Sequence, residues 1–259
     1  MALGISYIGE NYCGFQAQSD HMSIQESVNL AIETVANHPV KTSCAGRTDK
    51  GVHAFLQVMH FDTTADRQDM QWLRGINANL PDDIMVRWVK EMPMDFHARF
   101  SAHKRAYVYV MNRKRYDLFM DRFSWYVGDL KIDLMQTAAK DLIGEHDFFA
   151  FQSRHCQAEH AIRRVTEVRI EEKGPYIYCH IEANAFVHHM VRKIMATLVA
   201  IGDKRLPVEA IAQLLVEKNR DKVPGQAPAK GLFLKTIGYA EQFGVPTDVG
   251  SHLLGDMDV

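Results

Sequence analysis

The sequence predicts a mixed α/β protein of the α+β kind. Two ferredoxin-like halves would form one continuous, mainly antiparallel sheet flanked by helices. Three observations predict this. Between residues 3 and 89, short apolar runs and amphipathic helical runs follow the order β-α-β-β-α-β, the split arrangement of ferredoxin-like units. A second set of strands and helices in similar order starts near Ser101. No Gly/Ser- or Pro-rich linker separates the two sets, so a shared sheet is expected. The expected division is 1–100, 101–243 and a flexible tail over 244–259.

Taken in order, Leu3 to Tyr7 is a short apolar strand, and Gly9 and Gly14 bracket the loop after it. Ser23-Ile24-Gln25-Glu26 is a capping box. Ile24, Val28, Ala31, Ile32 and Val35 then repeat at helical spacing, with an end at Asn37 to Pro39. Val40 to Ala45 forms a strand, Gly46 to Gly51 a polar loop bounded by glycines, and Gln57 to Phe61 a strand. A helix from Gln68 to Ala78 stops before Pro81, and Ile84 to Val89 is again a strand.

In the second half, Tyr107, Tyr109 and Met111 alternate with Ala106, Val108 and Val110, the period of a strand. Leu134 to Ile143 forms a helix ending at Gly144. Val165–Ile170 and Ile177–Ile181 flank a Lys173-Gly174-Pro175 turn and make a hairpin. Helices Val187–Ile201 and Pro207–Lys218 follow, and Leu232–Tyr239 closes as a strand.

Composition bounds the function. The chain has 259 residues, 47% hydrophobic and 24% charged, the balance of a soluble enzyme of one large or two ordinary domains. Thirty Lys and Arg against 32 Asp and Glu give a net charge of −2. A basic footprint usually marks nucleic-acid binders, so any such role must concentrate its positive charge locally. Cys13, Cys44, Cys156 and Cys179 form neither C-x-x-C pairs nor a disulfide framework, and a reducing, cytoplasmic setting is expected. The N-terminus has no signal-peptide pattern. The most apolar helical stretch, Phe186 to Ile201, contains His188, His189, Arg192 and Lys193, so it is a core helix and not a membrane span.

Asp49 stands out chemically: it sits in a glycine-bounded loop leaving a strand, two residues after Arg47. Strand-end loops are where scaffolds hold reactive side chains. On composition alone, an aspartate closing an Asx-turn is the more ordinary outcome. The histidines His53, His60, His188 and His189 invite a metal. Placed on one helix, however, His188 and His189 would diverge by about 100°, and no helical H-E-x-x-H is present. Structural roles are expected for them on this reading. The clusters Lys104-Arg105, Arg113-Lys114-Arg115 and Arg163-Arg164 are candidate phosphate contacts.

The segment Cys44-Ala45-Gly46-Arg47-Thr48-Asp49-Lys50-Gly51-Val52-His53-Ala54 resembles the signature loop of the A-family tRNA pseudouridine synthases almost residue for residue. Gly14–Gln18, Phe96–Ala102 with Arg105–Tyr109, Ala183–Arg192 and Ala229–Leu234 resemble that family's other motifs, in the same order. The resemblance spans roughly residues 3–240. Phe15 stands where the family usually has tryptophan and Ile8 where aspartate is common. Both are expected to lie away from the Asp49 loop and to bear on RNA contacts at the cleft edge.

The resemblance implies a synthase that isomerises uridine to pseudouridine in the anticodon arm of tRNA, at positions 38, 39 and 40, with no cofactor and no metal. It implies a cytoplasmic homodimer with no membrane association, an active-site cleft in the middle of the sheet, and histidines that are structural or RNA-facing. Asp49 would be the catalytic carboxylate and Arg192 its partner. Tyr107 would stack on the target base and take part in proton transfer, Arg47 would contact the RNA or help flip the base, and Leu232 would line the uracil pocket. For Tyr109 a plain core role is expected. Two other classes stay open here: an RNA-binding protein without catalysis, and a metal-dependent hydrolase using the histidines.

Overall fold

A computed structural model describes residues 1–18 and 22–247; most of the tail expected to be flexible, 248–259, lies outside the described residues. In chain order the elements are β1 (Ala2–Tyr7), α1 (Ile24–Ala36), β2 (Thr42–Cys44), β3 (His53–Phe61), α2 (Asp69–Ala78), β4 (Ile84–Lys90), β5 (Ala102–Asn112), β6 (Trp125–Tyr126) and α3 (Ile132–Ala139). There follow β7 (Gly144–Asp147), β8 (Ile162–Lys173), β9 (Tyr176–Ala183), α4 (Met190–Gly202), α5 (Ala210–Glu217) and β10 (Leu232–Tyr239). The fold is mixed α/β, with mainly antiparallel sheets flanked by helices. The chain divides into two compact units, Met1–His103 with the segment from Phe233 onward, and Lys104–Leu232.

The first unit has the order β-α-β-β-α-β in β1 to β4. β1 lies between β3 and β4, antiparallel to both. The other edge of β3 is shared. Near its end β3 pairs antiparallel with β2, Cys44 opposite Met59 and Ser43 opposite His60. Near its start it pairs parallel with β10, Phe233 opposite His53. The division by sequence had placed β10 with the second half. It belongs to the first unit because this pairing seats Phe233 on His53 and Phe55, with ring centroids 4.7 and 5.0 Å apart.

Helix α1 forms as its spacing predicts. Ser23 caps it, its side chain accepting from the Glu26 N–H at 3.3 Å. Ile24, Val28, Ala31, Ile32 and Ala36 are buried, and Asn37 ends it in a left-handed conformation (φ 59°). Gln68 opens α2 with a reciprocal capping box to Gln71.

The second unit runs β-α-β-β-α through β5, α3, β8, β9 and α4, with β7 as an added edge and α5 beyond. β9 lies between β5 and β8, antiparallel to both, and β7 extends the edge beyond β8. α3 packs beside α4, whose residues from Ile194 to Gly202 are all buried. Among the described residues no helix is long and apolar enough to cross a membrane.

Helix α4 departs from its predicted start at Val187. It begins at Met190, because His189 takes a left-handed conformation (φ 69°, ψ 1°). His188 and His189 therefore precede the helix. Their rings lie 3.8 Å apart and 41° inclined, not splayed around a helix axis, and the helical argument against a shared ligand does not apply to them.

Candidate active site

The Asp49 loop is held on its backbone from several directions. Leaving β2, Ala45 N–H donates to Val58 O at 2.9 Å. The Gly46 carbonyl accepts from the buried Gln57 side chain at 2.6 Å. Thr48 turns inward: its hydroxyl meets the Tyr7 hydroxyl at 2.8 Å in a buried contact, and its carbonyl accepts from Phe15 N–H at 3.1 Å. Asp49 O accepts from Val52 N–H at 3.1 Å, closing a turn with Gly51 at φ 78°, the conformation that a type II turn requires at that position. Thr48 is buried, Arg47 is exposed and Asp49 is half-buried.

The Gly14–Gln18 motif finds its purpose here. Gly14 has φ 96°, and a Cβ on it would stand 3.1 Å from Thr48 O and 3.4 Å from Lys50 N. Only glycine lets the backbone lie this close to the loop in that conformation. Its carbonyl and that of Phe15 accept from Ile24 N–H (3.4 Å) and Gln25 N–H (2.9 Å), two of the N–H groups that a helix start leaves unsatisfied. Residues 14 and 15 thus tie the Asp49 loop to the start of α1. Phe15 is fully buried, its ring 6.0 Å from that of Tyr7. The expectation that Phe15 lies away from the loop and at an RNA-facing edge is therefore wrong. An interior ring has no access to RNA, and this residue is bonded to the loop itself.

The other predicted residues fall in the second unit. Tyr107 lies on β5 opposite Ile181, largely buried, its ring edge-on to Phe186 at 5.0 Å and 87°. Phe186 belongs to the Ala183–Arg192 motif, so two motifs meet at this ring pair. Tyr109 is fully buried and donates to Pro228 O at 2.8 Å; burial pushes its pKa up, partly offset by the Arg192 charge. It is a core residue, as expected. Arg192, half-buried in the first turn of α4, donates from Nε to Ala227 O at 2.8 Å, while Ala227 N–H donates to Arg192 O at 2.9 Å. That exchange fixes the guanidinium against the segment before β10. Leu232 is buried at the head of β10. The preceding Gly231 lies against Tyr109: a Cβ there would come 2.7 Å from Val110 O and 2.8 Å from the Tyr109 ring.

The basic clusters are mostly engaged. Lys104 pairs with Glu182 at 2.9 Å, Arg113 with Glu172, and Arg164 with Glu145 at 3.3 Å. Lys114 lies 3.8 Å from Asp117, and Arg115 sits over Tyr126 at 5.0 Å. Partly exposed pairs of this kind are worth little. His53 stacks on Phe233 and accepts from Gly9 N–H at 3.1 Å through Nδ1. His60 Nδ1 accepts from Ala98 N–H at 3.2 Å. Both have structural contacts. Tyr7 and Gln57 were not singled out by sequence; the readable signal for Gln57 was an amide inside an otherwise apolar strand.

The family model described as tRNA pseudouridine synthase matches residues 4–101 and 138–240. A tRNA pseudouridine synthase A of Pseudoalteromonas atlantica is 46% identical over 248 residues, covering 95% of this chain and 94% of that protein. One of Hydrogenovibrio crunogenus is 44% identical over 256 residues, covering 98% of each. One of Vibrio cholerae is 46% identical over 248 residues, covering 95% and 94%. The chain belongs to the tRNA pseudouridine synthase family.

Proposed function

From that membership, we propose that the chain converts uridine to pseudouridine in the anticodon arm of tRNA, at positions 38, 39 and 40, with Asp49 as its catalytic carboxylate. It is an isomerase acting on tRNA. The observation that carries the site assignment is the Asp49 loop: tied at Ala45, Gly46, Thr48 and the Asp49 carbonyl itself, it fixes the backbone at one carboxylate. Positioning of this kind is a large part of what a catalyst supplies.

The reaction breaks the C1′–N1 bond, turns the uracil and joins C1′ to C5. The hydrogen on C5 is released and N1 gains a proton. Nothing is oxidised or reduced, so the chemistry calls for no redox cofactor. Asp49 acts as the ionised carboxylate. Arg192, which the Ala227 exchange holds in place, favours its charged form and offers a fork suited to a carboxylate. The two belong to different units, and their pairing is part of the proposal. Tyr107 stacks on the flipped base, offsetting an unstacking cost of a few kcal/mol, and serves proton transfer at C5. Arg47 contacts the RNA backbone beside the target, and Leu232 lines the uracil pocket. The protein works in the cytoplasm as a homodimer, without a metal.

The test is tritium release from tRNA labelled with [5-³H]uridine, with EDTA present, for wild type and Asp49→Asn. Release by wild type alone is expected, with tRNA binding by the variant nearly intact. Equal release by both removes Asp49 from the mechanism. Release that EDTA abolishes restores the metal reading of the histidines. Binding without release by wild type points to a binding protein or another RNA target. Sedimentation of the free protein checks the dimer.

A further inference from the structure

The Phe96–Ala102 motif resembles a family segment, but nothing so far gives its exposed residues a task. In the first unit it forms a tight turn with its backbone tied by side chains. His97 N–H donates to Ser101 Oγ at 2.9 Å, and Ser101 N–H to His97 O at 2.9 Å. Arg99 and Phe100 N–H both donate to His97 Nδ1, at 3.1 and 3.3 Å. Ala98 N–H donates to His60 Nδ1 at 3.2 Å, pinning the turn to β3, and Ala98 O accepts from the Tyr239 hydroxyl at 2.7 Å.

What this rigid turn presents is an aromatic ring beside a cation. Phe100 is 75% exposed. The Arg99 guanidinium lies over its ring, 5.6 Å from the centroid, and the His97 ring lies 4.3 Å away at 34°. The fold gains little from Phe100, because most of its surface stays in water. A mobile turn could hide such a ring, but this one is tied at each N–H from His97 to Ser101. The turn also stands near the catalytic loop. Arg99 and Arg47 both act on the thiol of Cys44 at the end of β2, three residues before Arg47, and His60, which anchors the turn, is paired with Ser43 beside it.

We propose that Arg99 and Phe100 form a second contact point for the tRNA, outside the target nucleotide, with Arg99 taking a phosphate and Phe100 stacking on an unpaired base. This rests on the function proposed above. RNA is the partner the chemistry favours: aromatic faces next to cations are the way proteins hold single-stranded nucleic acid, and stacking tolerates any base. Loops of RNA supply the splayed bases that such platforms need. The arginine adds position rather than sequence choice.

The experiment measures equilibrium binding of an unmodified tRNA transcript to the full chain across a salt series, with single-turnover rates at saturating enzyme. Phe100→Ala should weaken binding about five-fold or more, on the scale of one lost base stack, leaving the saturated rate and the thermal midpoint unchanged. Phe100→Trp should restore the affinity. Arg99→Ala should weaken binding and lower the log–log salt slope by about one. Wild-type affinity in Phe100→Ala overturns the proposal. So does altered self-association at unchanged tRNA affinity, which would make the patch a protein contact. Asp49→Asn, dead in turnover but binding tightly, separates the two hypotheses. If that variant and wild type both fail to bind tRNA, the functional reading falls as well; if they bind and only Phe100 proves silent, this inference alone falls.

Discussion

At the scale of the residue, the proposed chemistry depends on how firmly the loop carrying Asp49 is held, and Thr48 is one of its main anchors. Its side chain and carbonyl are both bonded inward, which holds the backbone between Arg47 and Asp49. Tyr7→Phe keeps the ring packed on Phe15 and removes only the hydroxyl that meets Thr48. One neutral hydrogen bond contributes about 1 kcal/mol, so the saturated rate should fall about five-fold with tRNA affinity unchanged. Thr48→Val should give a similar loss, and the double variant little more, because both remove the same bond. A double variant whose losses simply add would show that the bond does not couple the two residues. The cysteines make a second prediction. Cys44 lies close to the loop, but burial pushes its thiol up to about 11, the Arg47 charge only partly opposing this. Cys179 is pushed up to about 12 by burial alone. For Cys156 burial acts upward too, yet hydrogen bonds from Gln152 and from the Ala158 and His188 backbone outweigh it and bring it below its ordinary value. The thiolate is the reactive form, so at pH 8 a thiol reagent should modify Cys156 well before Cys44 or Cys179, as peptide mass mapping would show. Early labelling of Cys44 would contradict its burial. The loop at Gly46 to Gly51 was legible in the sequence because its glycines and polar residues break the flanking strands. Tyr7 was not, since a tyrosine at the end of an apolar strand looks like any other core residue.

At the scale of the element, the sequence was most informative where periodicity and caps coincide. α1 and α2 appear close to their expected ends because the Ser23 and Gln68 caps mark their starts. The start of α4 was not legible: His189 adopts a left-handed backbone, which side-chain pattern alone does not reveal for a non-glycine residue. The early start of β3 was missed because His53, its first residue, pairs with Phe233 of β10, 180 residues away in sequence. The turn at Ala98 supplies a pH prediction. Its N–H is accepted by His60 Nδ1, and burial, with the nearby His97 second, lowers the His60 pKa from its ordinary 6.5. A histidine whose folded pKa is depressed binds protons more readily in the unfolded chain. Its contribution to stability is thus complete above about 6.5 and is lost as pH falls below that towards the folded value. Thermal midpoints from pH 8 down to pH 5 should decline more steeply in wild type than in His60→Gln. Matching slopes would show that His60 does not titrate in this way.

At the scale of the whole molecule, two features stand out. The chain is nearly neutral, and the charged clusters of its second unit are largely matched by their own carboxylates. On the proposed function, affinity for tRNA would come from exchanging such partners for phosphates and from local sites such as Arg47, and the near-neutral composition carries no sign of it. The first unit is also discontinuous: it is completed by the segment from Phe233 onward. No local signal announces this, since a strand's parallel partner leaves no trace in its own pattern. The consequence is testable. Phe233, Leu234 and Ile237 of β10 are buried, Phe233 against His53 and Phe55, and further on Phe243 packs against Phe96 at 5.3 Å. At about 1.5–3 kcal/mol for each large buried apolar side chain, removing these four withdraws about 6–12 kcal/mol, the size of a typical domain's whole stability. The same truncation bares the β3 edge at His53 and Ala54, beside the loop that carries Asp49. A chain ending at Leu232 should therefore lose the first unit's share of the cooperative thermal transition by circular dichroism and should fail to bind tRNA. A cooperative melt of undiminished amplitude near the wild-type midpoint would mean that the first unit completes its core from residues 1–103 alone.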